Sequence, residues 1–61
     1  MKVQLDAPGK QFNEDVVLAL IPREGDTIEW KNDSDDSRTF RVHHVVWFVG
    51  DAEPIVRLVL R

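Results

Sequence analysis

The chain has 61 residues, no cysteine, and 11 acidic against 8 basic residues, for a formal charge of −3. A chain this short is one domain, 1–61, burying only about 60% of the surface its unfolded form exposes, and without cysteine it has neither disulfides nor thiolate zinc to make up the shortfall. The acidic balance gives no general attraction to nucleic acid or anionic membranes; no apolar run approaches the roughly 20 residues of a membrane helix, and the first ten residues hold no apolar signal core, so the expected location is the cytoplasm, with no membrane partner.

In chain order, "MKVQLDA" alternates, with Val3 and Leu5 on one side and Lys2, Gln4 and Asp6 on the other. Period two reads as a strand with one wet face. Pro8-Gly9 is a turn signal. The next segment, "QFNEDVVLALIP", contains a continuous apolar run from Val16 to Ile21. It reads either as a buried strand or as one short helical turn near 13–21, capped by Asn13 with Glu14 and Asp15 behind it. Pro22 would stop a helix soon after it began, and a hairpin from the Pro-Gly turn is economical, so strand is preferred.

"PREGD" is a turn pivoting on Gly25. "TIEWK" alternates again, Ile28 and Trp30 facing in. "NDSDDS" is a polar hairpin loop. "RTFRVHHVVWFVG" reads as a strand of about twelve residues that must bend in so small a domain. Phe40, Val42, His44, Val46 and Phe48 share one face of it; Arg41, His43, Val45, Trp47 and Val49 share the other. "DAEP" is another turn, and "IVRLVLR" closes the chain with Val56, Leu58 and Leu60 opposite Ile55, Arg57, Val59 and Arg61. Five short strands separated by turn clusters predict an all-β fold, a small five-stranded antiparallel barrel whose closure would remove aggregation-prone edges.

Eleven residues are candidates for the core of such a barrel: Val3, Leu5, Ile28, Trp30, Phe40, Val42, Val46, Phe48, Val56, Leu58 and Leu60. They fill it alone, yet from Val45 to Val49 every residue is apolar. Three explanations compete for the second face of that run. The chain covers it, with the Val16–Ile21 segment folding over Trp47; a second copy covers it; or a foreign partner does. Leftover apolar patches and exposed tryptophans mark interfaces, and a symmetric dimer is the commonest oligomer. The candidate interface is Val45, Trp47 and Val49, with Ile55 and Val59.

Other constellations are weaker. His43-His44 invites a metal reading, but consecutive strand residues point to opposite faces and no further histidine or cysteine completes a site. His44 is then expected to be a partly buried sheet residue and His43 a surface one. "NDSDDSRTF" has the alternating oxygens of a calcium loop, but Arg38 and His44 stand where glycine and glutamate are needed. Arg41, Arg57 and Arg61 share outward parity and, with Arg38 and the aromatics, form a possible nucleic-acid surface; cross-strand pairing with Glu29, Asp51 or Glu53 is the ordinary alternative. Ser34 and Ser37 have no base and no oxyanion turn beside them, so no catalytic residue, metal or cofactor is expected.

"IPREGDTIEW", followed by "RTFRVHHVVW" and "PIVRLVLR", resembles a class of short bacterial and phage proteins with SH3-like small barrels. In these, a Pro-x-x-Gly-Asp turn leads into a strand, and a strand rich in arginine or tyrosine ends in a Val-Val-Trp or Val-Val-His segment. The resemblance covers residues 22–61 and implies an SH3-like barrel; it carries over no catalytic residue, and the loop Asn32–Ser37 is longer and more acidic than the group's. The resulting expectation is a non-enzymatic binding or assembly module that self-associates around Trp47. The alternative is a nucleic-acid-binding barrel using Arg41, Arg57 and Arg61.

Overall fold

The computed structural model describes residues 1–31, 37–50 and 53–61. Five strands form the fold: β1 (Lys2–Ala7), β2 (Phe12–Val17), β3 (Thr27–Lys31), β4 (Ser37–Phe48) and β5 (Ile55–Leu60). The helical alternative near 13–21 does not form; among the described residues the one 3-10 turn is Pro8–Lys10, inside the β1–β2 hairpin. Strand β2 nevertheless ends at Val17, earlier than the apolar run, and residues 18–26 cross irregularly to β3. Gly25 is the pivot of that crossing. It takes φ 92° in a turn closed by Asp26 N–H donating to Arg23 O at 3.0 Å, a backbone conformation that suits glycine. The Asp26 carboxylate closes the same turn by accepting the Arg23 N–H at 2.8 Å. The polar loop and calcium-loop reading at 32–36, and Asp51-Ala52 of the last turn, lie outside the described residues.

The sheet order is β2-β1-β5-β4-β3, curled into a half-barrel. All neighbours are antiparallel except β1 and β5, which run parallel, Val3 beside Val56 and Leu5 beside Leu58. The expectation of a wholly antiparallel barrel is corrected here for a simple reason. Five strands that reverse direction each time leave the first and last pointing the same way, so joining them must produce a parallel pair. Their joining moves the opening elsewhere: β2 and β3, sequence neighbours, become the two edges.

Alternation places the core on one face. Val3, Leu5, Ala7, Phe12, Phe40, Val42, Val56, Leu58 and Leu60 are buried, with Val16, Leu18, Ile21, Ile28, Trp30 and Val45 packed against them. Two expected core residues, Val46 and Phe48, are absent from this set and are exposed. The cause is a β-bulge in β4. Val42 pairs with Leu60, but Val59 pairs with His44, leaving His43 as an extra residue. Beyond it Val45 and Trp47 oppose Leu58 and Val56 on the core face, while Val46 and Phe48 oppose Arg57 and Ile55 on the outer face. A one-residue slip inverts every later side chain. The alternative is unfavourable: a straight register would set His44 opposite Leu58, burying an imidazole in an apolar core.

Candidate functional site

The exposed apolar residues gather at one end of the sheet. Strand β4 ends there at Phe48, β5 begins with Ile55 opposite it, and the hairpin partners Lys2 and Val17 reach the same end beside the Met1–Leu18 pair. On the core face, Trp47 is 51% exposed, and a groove of about 420 Å³ separates it and Val45 from Ile21, Pro22, Arg23 and Glu24 of the crossing segment. That segment thus covers the core through Leu18 and Ile21 but leaves half of the indole bare. On the outer face, Phe48 is 45% and Val46 37% exposed, with Ile55 and Val59 half-buried beside them. Val49, just beyond the strand, and Leu20 are more exposed still.

The five residues read from the sequence as one patch therefore lie on two faces. Val45 and Trp47 are on the core side, Ile55 and Val59 on the outer side, and Val49 stands past the end of β4. Sequence reasoning missed Val46 and Phe48. The only signal for them is that the run 45–49 has no polar face, so either parity exposes an aromatic residue.

The three candidate arginines share the outer face, Arg41 and Arg61 as a mutually hydrogen-bonded backbone pair (3.1 and 2.9 Å). Their side chains are engaged differently. The Arg57 guanidinium lies 5.1 Å from the Phe48 ring centroid and its Nε donates to Gln4 Oε1 at 3.3 Å. The Arg61 guanidinium contacts His43 Nε2 at 3.1 Å. Arg38 sits apart, over the rings of Phe12 and Phe40 at 5.2 and 5.3 Å, with one terminal nitrogen donating to Lys10 O at 2.9 Å.

The expected environments of the two histidines are exchanged: His43 is half-buried and His44 exposed. The bulge also brings the rings together, centroids 4.0 Å apart, where a regular strand would send them to opposite faces. The His43 pKa is lowered, first by loss of hydration, then by Arg61 and His44, with Glu24 opposing. Arginine only donates, so His43 Nε2 accepts and the neutral ring carries its proton on Nδ1. Among the described residues no group of three or more histidine or carboxylate side chains is arranged to hold a metal ion, and no helix is long and apolar enough to cross a membrane.

Comparison with protein-family profiles, with curated proteins and with solved structures returned no match to this chain.

Proposed function

We propose that this chain is a non-enzymatic assembly module, a small barrel of the SH3-like kind acting in the cytoplasm, that pairs with a second copy through its apolar end. The observation that carries the reading is the half-exposure of two adjacent aromatic side chains, Trp47 and Phe48, on opposite faces of one strand end. Among the described residues, nine side chains already form a buried core that includes neither of them. Val46, Val49 and Leu20 extend the surface around the end. A stable interface takes about 800 Å² from each partner, roughly a sixth of this chain's 4713 Å². Exposed aromatics ringed by valines have the composition of an interface centre rather than of a solvated rim.

The nucleic-acid reading is weaker. Arg57 and Arg61 are occupied by Phe48, Gln4 and His43, and the chain is acidic overall.

Light scattering over a concentration series tests the proposal. The wild type is expected to pass from monomer to dimer. Trp47→Glu and Phe48→Glu should each weaken pairing by about 2 kcal/mol, some thirtyfold in Kd, with unchanged circular dichroism. A wild type that stays monomeric at the highest concentration overturns it.

A further inference from the structure

Strand β3 covers β4 only from Ser37 to Arg41. Val42 is bonded on that same side, donating to Asp26 O at 2.9 Å and accepting from Gly25 N–H at 2.8 Å. Upstream of Gly25 the crossing segment is not a strand, so among the described residues no strand runs along that side of β4 past Val42. The ladder phase shows which backbone groups stay open there. Arg61 and Arg41 exchange both backbone bonds, so Arg61 turns its N–H and C=O toward β4, and by period two Val59, Arg57 and Ile55 do the same. Their partners His44, Val46 and Phe48 answer them. Val45 and Trp47 therefore turn their N–H and C=O to the open side, and the same two residues line the groove of about 420 Å³.

We infer that this edge of β4 pairs with the same edge of a second copy, antiparallel and centred on Trp47, so that two half-barrels share one continuous sheet. The inference rests on the pairing of copies proposed above and gives it a geometry. An element laid on one face of β4 reaches Trp47 or Phe48 but not both. A strand added at the edge sets side chains beside both, and both are half-exposed. The two outer edges of the sheet carry exposed charges that oppose an added strand, Glu14 and Asp15 on β2 and Glu29 and Lys31 on β3, whereas residues 45–49 carry none. The occupant must be apolar on both of its faces, and the run 45–49 of a second copy is so. The other apolar run, Val16–Ile21, leaves strand conformation after Val17 and gives Leu18 and Ile21 to the core. Centring on Trp47 sets the two indoles opposite one another, Val45 opposite the partner's Val49 and Val46 opposite the partner's Phe48, with no polar side chain in the pairing. Centring on Val46 instead would set His44 against the partner's Phe48.

The test follows amide hydrogen exchange of the intact chain over a concentration series in which light scattering reports the mass. In the dilute monomer the Val45 and Trp47 amides are expected to exchange faster than those of Val46 and Phe48, which face β5. In the dimer they should slow by about tenfold or more, while Asn13 and Asp15 on the β2 edge stay unchanged. A synthetic chain with an ester in place of the amide at Trp47 keeps every side chain and loses one outward donor. Its Kd should rise about tenfold, with unchanged circular dichroism. A dimer whose Val45 and Trp47 amides exchange at the monomer rate is held by side chains alone; that result overturns the edge pairing and leaves the assembly reading standing. Slow exchange of both amides in the dilute monomer means that the chain covers its own edge, and also overturns it. A wild type that is monomeric at every concentration overturns both.

Discussion

His43 is the residue that β4 has in excess, and its chemistry makes the bulge sensitive to protons. Its Nε2 must be unprotonated to accept from Arg61 at 3.1 Å. Partial loss of hydration, Arg61 and His44 all hold its pKa below the ordinary value of 6.5. The unfolded chain therefore takes up this proton more readily than the folded one. The sign follows: the stabilisation is fully present above pH 6.5, and it is lost as pH falls below that value through the folded-state pKa. Melting temperature is expected to decline between pH 7.5 and about pH 5, before most carboxylates titrate. His43→Gln should flatten that part of the profile, and an identical slope in the variant would remove His43 as the cause.

At the scale of the element, β4 shows why alternation can be locally right and globally inverted. Its first half follows the predicted faces, Phe40 and Val42 inward. Past the bulge the faces exchange, because the strand must keep His44 out of the core and can do so by spending one residue. Deleting His43 would make Val42 and His44 consecutive, in regular register with Leu60 and Val59, and would leave every later pairing unchanged. The deletion variant is expected to fold, at a cost of no more than about 1–2 kcal/mol, with Trp47 fluorescence like the wild type's. A shift to the spectrum of a fully exposed indole would mean that the bulge, and not the pairing with β5, orients the strand end. The doublet His43-His44 was visible as a break in the hydrophobic pattern. Its meaning was not, because it depends on what lies opposite in β5.

For the whole molecule, one aromatic cluster holds the two edges of the half-barrel together. Phe12 contacts Trp30 at 5.4 Å and Phe40 at 4.6 Å, linking β2 to β3 and β4, strands that are not its neighbours in the sheet. A domain of 61 residues is stable by roughly 3–9 kcal/mol. Truncating a buried phenylalanine costs about 3–5 kcal/mol, so Phe12→Ala should leave much of the population unfolded at 25 °C, as read by denaturant titration. Trp30→Ala, at a half-buried site, should cost less. The reverse ranking would mean that β3, and not β2, carries the closure.

By itself the sequence determined five strands, the turn at Gly25, the inward faces of β1, β3 and β5, and an excess of apolar residues near Trp47. Each of these follows from local properties: period-two alternation, turn chemistry and composition. Only the tertiary structure decided that β1 and β5 pair in parallel, that the sheet opens between β2 and β3, and that Phe48 rather than Val45 faces outward. Those outcomes depend on which strands meet and in which register. Where side chains repeat every two residues, a single extra residue exchanges the two faces without altering anything the local pattern records.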